Sequence, residues 1–341
     1  MRGVGSLGPM DGRLVDSYGR VHTDLRISVT DRCNFRCTYC MSAEGMTWLS
    51  REEVLSFEET ERIAALMVRR LGVRSIRLTG GEPLVRAHVE VLVGRLAALG
   101  VDLAMTTNGS MLAQQAHALA AAGLSRINVS LDSLRPDRFE ELTRRDELEA
   151  VLEGIDAAIG AGFHPVKVNC VVMAGVNDDE VVDLARFGRE RGVEVRFIEF
   201  MPLDADGAWQ PDAVVSQAEI VARIESAFGP LVPMARAHEP AERFGYADGG
   251  GPHGVGVGVI ASVTRPFCAS CDRVRLSADG GLRNCLFAEG EADLRGPMRA
   301  GATDDELIAI ITGNVAVKGP GHAIGAVHFI RPRKSMSQIG G

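Results

Sequence analysis

The sequence lacks the long apolar runs and the excess of basic residues that would indicate a membrane or nucleic-acid partner. No stretch of about eighteen consecutive apolar residues occurs in the chain, and residues 1–20 contain no apolar core of a signal peptide. The formal net charge of −8 argues against a general surface for nucleic acid or anionic lipid. We therefore expect a cytoplasmic protein that meets any anionic ligand with a local cluster of basic residues.

The chain also lacks the cysteine distribution of a disulfide framework. Six of its seven cysteines form two groups of three, which suits thiolates that are kept reduced to bind metal. Cys170 is the seventh and lies in an apolar run, where we expect a small buried side chain. With 341 residues and an apolar fraction of 46%, the chain can form one large barrel or about two domains.

A repeated order of β-like run and amphipathic helix predicts a parallel sheet or barrel. Helices are predicted over residues 58–71, 111–122 and 178–191, where apolar residues recur at helical spacing. The β-like runs cover residues 25–30, 75–79, 102–106, 126–131, 165–173 and 194–200.

Nearly every one of these runs has one polar face, whereas the strands of an ordinary β/α barrel are apolar on both faces. Because side chains alternate along a strand, the polar set can line the inside of a barrel while the apolar set faces the helices. These six units predict an α/β fold with a partial (β/α)6 TIM-like barrel around a large polar ligand, and an open doubly wound sheet is the alternative. The polar set comprises Arg26, Ser28, Thr30, Arg77, Thr79, Asp102, Thr106, Asn128, Ser130, Asp132, Lys167, Asn169, Glu194 and Arg196.

The first cysteine group has the spacing C-x3-C-x2-C, formed by Cys33, Cys37 and Cys40. One loop with this spacing can present three thiolates to an iron–sulfur cluster and leave one iron without a protein ligand. An open metal position is typical of a site that performs chemistry. Structural zinc is the alternative, but it needs a fourth ligand, for which only the distant His22 and His88 are candidates.

The second group, Cys268, Cys271 and Cys285, has the spacing C-x2-C-x13-C and again offers three thiolates. A zinc ribbon would need a fourth ligand, and His253 is poorly placed for that role. We predict a second iron–sulfur cluster with an open iron.

Five basic residues are predicted to face one cavity. Arg273 and Arg275 lie on one side of a predicted strand beside the second cysteine group. The alternation places Arg26, Arg77 and Lys167 inside the barrel as well, and a triphosphate would satisfy such a cluster. The alternative is a solvent-exposed charge pair at a sheet edge.

A Gly-Gly-Glu-Pro segment follows the second run, where paired glycines allow close approach of the backbone to a ligand and Glu82 can accept from an ammonium group. Together with the C-x3-C-x2-C loop, this segment resembles the radical S-adenosylmethionine (SAM) enzymes. The resemblance implies a 4Fe-4S cluster whose open iron binds SAM, and cleavage of SAM to a 5′-deoxyadenosyl radical. Asn108 and Ser133, after the third and fourth runs, are residue types that also cap helices.

Both cysteine groups, together with the sequence Cys-Asp-Arg-Val-Arg from Cys271, resemble the GTP 3′,8-cyclases of molybdenum cofactor biosynthesis, the MoaA family. The similarity extends from about residue 24 to the ending Ser-Gln-Ile-Gly-Gly, which in that family reaches into the active site. Composition alone would predict a disordered tail.

The resemblance implies roles for individual residues by matched position. The SAM cluster falls on Cys33, Cys37 and Cys40, and a GTP cluster falls on Cys268, Cys271 and Cys285. Contacts to SAM fall on Tyr39, Gly81, Glu82, Ser130 and Met201. Contacts to GTP fall on Arg26, Arg77, Thr106, Lys167, Arg273, Val274 and Arg275. Catalytic roles fall on Arg273, Arg275, Gly340 and Gly341.

The implied reaction removes the ribose 3′ hydrogen of GTP, joins C3′ to C8 of guanine, and yields (8S)-3′,8-cyclo-7,8-dihydroguanosine 5′-triphosphate. An external one-electron reductant, a downstream cyclic pyranopterin monophosphate synthase (MoaC-like) and a homodimeric partner are expected with it. The sequence departs from the family at Asp272, where Asn is common, and this leaves a purine contact there open because a carboxylate cannot donate as an amide does. Met201 could equally belong to the core.

Three other functions stay open at the level of the residues. A radical SAM peptide-modifying enzyme also carries auxiliary clusters, although usually with more cysteines. An iron–sulfur electron carrier and a zinc-stabilised scaffold are non-enzymatic alternatives.

Three regions are predicted along the chain: a flexible N-terminal arm over residues 1–22, a radical SAM partial barrel over 23–203, and an auxiliary-cluster region with a Gly-Gly tail over 204–341. The last boundary is set where the alternation breaks down. Beyond it we predict a helix within residues 211–228 and a β-like run over 259–263.

Overall fold

The computed structural model describes residues 12–42, 46–204, 207, 209–235, 239–322, 324, 329, 332 and 334–340. The strands are Asp24–Ser28 (β1), Ser75–Thr79 (β2), Asp102–Thr107 (β3), Arg126–Ser130 (β4), Lys167–Val172 (β5), Glu194–Glu199 (β6), Leu231–Pro233 (β7), Glu242–Tyr246 (β8), Val257–Ile260 (β9), Arg273–Leu276 (β10), Gly281–Arg283 (β11) and Ala292–Asp293 (β12). The α-helices are Phe57–Leu71 (α1), Val89–Ala97 (α2), Leu112–Ala121 (α3), Pro136–Thr143 (α4), Leu148–Gly160 (α5), Val181–Arg191 (α6), Gln217–Phe228 (α7), Arg295–Arg299 (α8), Asp304–Ala316 (α9) and Met336–Ile339 (α10).

The twelve strands form one sheet in the order β12-β11-β10-β1-β2-β3-β4-β5-β6-β9-β8-β7. Strands β1 to β6 are parallel, and β10 and β9 extend them in parallel on the two sides. All six predicted strands are confirmed to within two residues at each end. Because β9 pairs with β6, the two regions predicted on either side of residue 203 share this sheet. That boundary stays a prediction.

The sheet curves around a cavity that receives side chains from β1 to β6, β9 and β10. In the described part of the chain, the edge strands β7 and β12 do not pair with each other, so the barrel is partial. The predicted partial barrel is therefore confirmed, and the open doubly wound alternative is wrong. Of the helices described, none combines the length and apolar character needed to cross a bilayer.

Helix α1 shows how local sequence fixes the outer layer. Ser56 and Glu59 form a capping box at its start, and Gly72 ends it in the left-handed conformation with φ +77°. Its buried face includes Ile63 and Met67, which pack in the same core as the outward side chains of the strands, such as Ile27. The apolar face of each strand thus lies against the helices, and the polar face remains inside.

The N-terminal segment of residues 12–22 packs against the barrel. Leu14 and His22 are buried, Val15 bridges to Val21, and the Leu14 amide donates to the carbonyl of Leu71 at the end of α1. The prediction of a separate arm is wrong for this segment, because its apolar and ionic side chains find partners inside the fold. Residues 1–11 of the predicted arm lie outside the described residues.

Candidate active site

One cavity of about 1130 Å³, counting its opening to solvent, lies inside the partial barrel. The loops after β1 and β2 carry the first cysteine group and the Gly-Gly-Glu-Pro segment, and the loops after β3 and β4 carry Asn108 and Ser133. All four loops therefore meet at one end of the sheet. Side chains that line the cavity include Arg26, Arg77, Thr106, Asn128, Asn169, Arg196, Met201, Phe267, Cys268, Cys271, Arg273, Arg275, Asn284, Cys285, His322 and Met336.

The loop of the first cysteine group is pinned to α4. The amides of Arg36 and Thr38 donate to carbonyls near the end of that helix, and the rings of Phe35 and Phe139 meet edge to face at 6.0 Å. Within the loop, the Cys40 amide donates to the Cys37 carbonyl at 2.9 Å. The backbone therefore holds the three cysteines in one short turn.

The first three thiols suit a metal cluster and are poorly suited to being left alone. Burial raises the pKa of Cys33 to about 11 and that of Cys40 to about 12. Burial also raises the pKa of Cys37, and the neighbouring Cys40, Asp132 and Cys33 raise it further. Iron supplies the positive charge that stabilises such thiolates.

The second cysteine group lies in the wall of the cavity. Cys268 begins a short 3-10 turn after β9, Cys271 precedes β10 and Cys285 follows β11, and all three side chains line the cavity. Burial raises the pKa of Cys285. The three thiols thus face the space in which a substrate would bind.

The two cysteine groups differ in their access to the cavity. Cys33, Cys37 and Cys40 are not part of its wall. Helix α10 lies between, because the Ser337 backbone bonds to Cys40 while Met336 lines the cavity. The C-terminal segment therefore lies between the first cysteine group and the cavity that the second group lines.

Four arginines converge on the cavity from neighbouring strands. Arg26 of β1 lies beside Arg77 of β2 and Arg275 of β10 in the sheet register, and Arg273 precedes Arg275 by two residues and pairs with Asp24. Burial lowers the pKa of Arg26, and Arg273, Arg275 and Arg77 lower it further. Burial lowers the pKa of Arg77 and of Arg275 to about 10, so both stay charged at neutral pH.

This arginine cluster has fewer acceptors than donors. The Nε atoms of Arg26 and Arg77 are buried without a hydrogen-bond partner. Asp24 is the carboxylate nearest to Arg273, 3.9 Å from its Nε atom. Buried guanidinium groups without acceptors are costly unless an anion is bound. The cluster is therefore a receptor for a multiply charged anion.

Two of the predicted GTP contacts lie elsewhere. Lys167 is buried beside Glu239, with its Nζ atom 3.7 Å from a carboxylate oxygen, and is not in the cavity wall. The side chain of Val274 packs in the apolar core because it alternates with the two arginines. Four of the five predicted cations therefore line the cavity, and the predicted GTP contacts of Lys167 and Val274 stay predictions.

Arg196 is the basic residue in the wall that the predicted set of GTP contacts omitted. Its Nε atom donates to Glu194 at 2.6 Å, and its Nη2 atom donates to Glu239. The β6 alternation placed Arg196 inside, but the pairing with Glu239 depends on a loop outside the barrel. This pairing neutralises Arg196, whereas Arg26, Arg77 and Arg275 have no carboxylate partner among the described residues and Arg273 has only the distant Asp24.

Both carboxylate oxygens of Glu82 accept hydrogen bonds from the protein. Its Oε1 atom accepts from the Leu84 amide and the Thr107 hydroxyl at 3.0 and 2.7 Å, and its Oε2 atom accepts from the Asn108 amide at 2.6 Å. The side chain is 1% exposed. The Glu82 side chain therefore joins the loops after β2 and β3, and its predicted contact with SAM stays a prediction.

The remaining predicted SAM residues lie near the first cysteine loop or the cavity. The Tyr39 hydroxyl donates to Asp132 at 2.6 Å, and a Cβ atom added to Gly81 would lie 2.2 Å from the Arg32 carbonyl oxygen. Ser130 is half-buried at the end of β4, and Met201 lines the cavity rather than the apolar core.

Neither candidate helix cap begins a helix. Asn108 donates to the Asn34 side chain at 2.8 Å, and Ser133 donates to Glu180 at 2.7 Å. Asp272 accepts from the Thr23 hydroxyl at 2.8 Å and is not in the cavity wall. The departure from Asn at this position therefore falls outside the cavity.

The C-terminal segment reaches the arginine cluster. Gly340 has φ +80°, and its carbonyl accepts a hydrogen bond from Arg275. A Cβ atom there would lie 2.5 Å from the Ser28 hydroxyl. The tail is therefore ordered inside the site, as the resemblance implied, while Gly341 lies outside the described residues.

Sequence models of two families match the chain. The model described as radical SAM superfamily matches residues 27–188, and the model described as Molybdenum Cofactor Synthesis C matches residues 193–324. Among solved structures, SuiB of Streptococcus suis bound to its precursor peptide SuiA superposes with a TM-score of 0.51 at 17% identity, over 60% of this chain and 45% of that chain. This likeness concerns the fold alone.

Two relatives match over nearly the whole chain. The GTP 3′,8-cyclase of Corynebacterium glutamicum (strain ATCC 13032) is 47% identical, over 98% of this chain and 92% of the relative. The GTP 3′,8-cyclase of Streptomyces coelicolor is 49% identical, over 96% of each chain. The cysteine loop at the mouth of a partial barrel defines a radical SAM enzyme. Within that class, the chain belongs to the GTP 3′,8-cyclase family.

Proposed function

We propose that this chain converts GTP to (8S)-3′,8-cyclo-7,8-dihydroguanosine 5′-triphosphate, the first step of molybdenum cofactor biosynthesis. The observation that carries this proposal is the arginine cluster of Arg26, Arg77, Arg273 and Arg275 beside three thiols, in which the Nε atoms of Arg26 and Arg77 are buried without acceptors. A triphosphate supplies those acceptors in bidentate geometry, whereas a peptide does not bring several negative charges to one point.

The first cysteine group would hold the cluster that binds SAM, and the second would hold the cluster beside GTP. When bound, the first cluster and SAM supply the radical that removes the ribose 3′ hydrogen. The protein's own task is to orient GTP, because a misplacement of about 1 Å can cost roughly 100-fold in rate. Arg273 and Arg275 perform this task from one strand that begins directly after Cys271 and Asp272.

Residues around the first cysteine group would position SAM. Tyr39 is fixed by its hydrogen bond to Asp132, and the close approach of Gly81 to the Arg32 carbonyl leaves no room for a side chain. Ser130 and Met201 would complete these contacts, and Thr106 would contact GTP from the cavity wall. The backbone of the Gly-Gly-Glu-Pro segment, rather than the Glu82 side chain, is the part available to SAM.

The C-terminal segment would act with the substrate arginines. Gly340 contacts Arg275, and helix α10 separates Cys40 from the cavity. We assign Gly340, and Gly341 beyond it, to the alignment of GTP with the radical source. This role requires the segment to keep its contact with Arg275 or to exchange that contact for a phosphate.

Partners follow from this chemistry. We propose an external one-electron reductant, a downstream cyclic pyranopterin monophosphate synthase that consumes the product, a homodimeric state and a cytoplasmic location. Sedimentation of the reconstituted protein tests the dimer, and a monomer at micromolar concentration would refute it.

Substrate choice tests the function directly. The protein is reconstituted anaerobically with iron and sulfide, and it is then incubated with SAM, a reductant and one of GTP, ATP or a peptide pool. Release of 5′-deoxyadenosine stimulated by GTP alone is the expected result. Stimulation by the peptide pool would instead support the peptide-modifying alternative.

A further inference from the structure

Lys318 is one of three lysines in the chain, and it is buried beside the second cysteine group. It lies in the segment that follows α9, which passes so close to the cysteines that a Cβ atom added to Gly321 would lie 3.1 Å from the Sγ atom of Cys268. The predicted function assigns it no role. Its side chain is 3% exposed, which is unusual for a lysine.

All three hydrogen atoms of the Lys318 ammonium have acceptors. The Nζ atom lies 2.8 Å from the carbonyl oxygen of Arg273, 3.5 Å from the Sγ atom of Cys271 and 3.4 Å from the Nδ1 atom of His22. None of these acceptors is a carboxylate. Cys271 is the side chain of the second cysteine group that the ammonium contacts.

His22 and Asp16 continue the hydrogen bonds of Lys318 toward the N-terminal segment. The Nε2 atom of His22 lies 3.0 Å from Asp16, whose carboxylate also accepts from Arg20 at 2.6 Å. Since Nδ1 must accept from Lys318, the imidazole carries its hydrogen on Nε2 and donates it to Asp16. Asp16, His22, Lys318 and Cys271 therefore form a hydrogen-bonded series. Lys318 donates to both His22 and Cys271, and His22 donates to Asp16.

Arg20 connects this hydrogen-bonded series to the loop of the second cysteine group. Its Nη1 atom donates to the carbonyl oxygens of Cys268 and Pro320 at 2.8 and 2.9 Å, and its Nη2 atom donates to Gly319 at 2.5 Å. The segment on either side of Lys318 is thus tied to both the N-terminal segment and the second cysteine group.

We propose that Lys318 is a positioning residue for the second cluster. Its ammonium raises the cluster's reduction potential by donating a charged hydrogen bond to Cys271, and it aligns Arg273 by donating to the carbonyl oxygen of that residue. Hydrogen bonds and positive charge at a cluster's sulfur ligands stabilise the reduced, more negative form. The same ammonium holds the first residue of β10, so it links the cluster to the arginines that receive GTP. This inference rests on the proposed second cluster and does not require that GTP be the substrate.

The test compares Lys318→Met, which keeps the length of the side chain and removes the charge, with Lys318→Arg, which keeps the charge. Each full-length protein is reconstituted with both clusters, and the reduced second cluster is followed by electron paramagnetic resonance during a potentiometric titration. The second-cluster signal is the one that is absent from Cys285→Ser. Lys334→Met is the matched control, because Lys334 pairs with Asp279 and Glu291.

In Lys318→Met we expect the ratio of reduced to oxidised second cluster to fall about tenfold at a fixed potential, which corresponds to about 59 mV for a one-electron couple. Lys318→Arg and Lys334→Met should leave that ratio within about twofold of the unsubstituted protein. An unchanged ratio in Lys318→Met would overturn the proposal, as would an equal fall in Lys318→Arg.

Iron content separates the remaining outcomes. If Lys318→Met loses the second cluster, retention of that cluster by Lys318→Arg supports the proposal and its loss refutes it. If the unsubstituted protein holds no iron at the second cysteine group, the cluster assignment and the role of Lys318 both fall. If the potentials shift as expected while GTP is not consumed, only the proposed GTP reaction fails.

Discussion

Arg275 donates a hydrogen bond to the carbonyl oxygen of Gly340, so the C-terminal segment ends against the residues proposed to hold the triphosphate. The contact joins a strand of the barrel to a tail whose composition alone suggests disorder. The tail also touches Cys40 through Ser337, so it contacts both the first cysteine group and the arginine cluster. Small changes at Gly340 should therefore be transmitted to the reaction.

Replacement of Gly340 by alanine tests this placement. The residue has φ +80°, and the new methyl group would lie 2.5 Å from the Ser28 hydroxyl and 2.7 Å from a Thr79 methyl group, so the tail must move. We expect kcat/KM for GTP to fall roughly 100-fold with both clusters intact. Gly313→Ala in α9 is the control, because no atom lies within 4 Å of the added methyl group. Equal activity of the two variants would refute the role of the tail.

Removal of one cavity arginine should weaken the use of GTP. Arg273→Ala and Arg275→Ala each delete charge-assisted hydrogen bonds worth about 1.5–3 kcal/mol, so kcat/KM should fall roughly 10- to 150-fold while iron content stays constant. Arg275→Ala also loses the contact with Gly340, whereas Arg273→Ala does not. Arg70→Ala, which removes an exposed pair with Asp305, is the control. Unchanged GTP turnover in Arg273→Ala would contradict the assignment.

Loss of one cysteine from the second group should remove one cluster. Iron per chain should fall from about eight to about four in Cys285→Ser, because a cluster with two remaining thiolates is not retained. Cleavage of SAM without GTP should persist. Cys170→Ala is the control: its side chain is buried in β5 and belongs to neither cysteine group, so iron should stay at about eight while the free energy of unfolding falls by about 1 kcal/mol. Equal iron in both variants would refute the second cluster.

The pH dependence of stability should report on Glu82. Burial raises its pKa from 4.5 to about 7, against the opposing hydrogen bonds from Asn108, Thr107 and Leu84. Between these two values the folded protein binds a proton that the unfolded chain does not, so the free energy of unfolding falls as pH rises, by up to about 3 kcal/mol.

Glu82→Gln should flatten this dependence, as measured by anaerobic denaturant titrations between about pH 5 and pH 7.5. Glu149→Gln, on the exposed surface of α5, should keep the slope of the unsubstituted protein. An unchanged slope in Glu82→Gln would show that another group dominates this range.

Periodicity in the sequence was sufficient to predict the barrel strands and the direction of their side chains. Arg26, Arg77 and Thr106 line the cavity because each follows the alternation that the sequence displays. The same alternation explains why the Val274 side chain does not line the cavity, since it lies between two inward arginines. Local patterns of this kind depend only on neighbours in the chain and are visible without a structure.

Contacts between segments that are distant in sequence could not be predicted. The Nζ atom of Lys167 lies 3.7 Å from Glu239, which belongs to a loop after β7 and also pairs with Arg196. The loop after β3 supplies two of the hydrogen-bond donors to Glu82. No periodic signal in one segment reports which side chains another segment will bring to it.

Residues 12–22 carry a consequence for how the protein is made. Arg20 meets its carbonyl partners 248 to 300 residues later in the chain. Domains fold during synthesis from the N-terminus onward, but contacts of such separation must wait until both ends exist. The strands β1 to β6 can therefore pair on the ribosome, whereas Arg20 can bind the segment around the second cysteine group only after Pro320 has been made. That part of the site is completed only when translation is nearly finished.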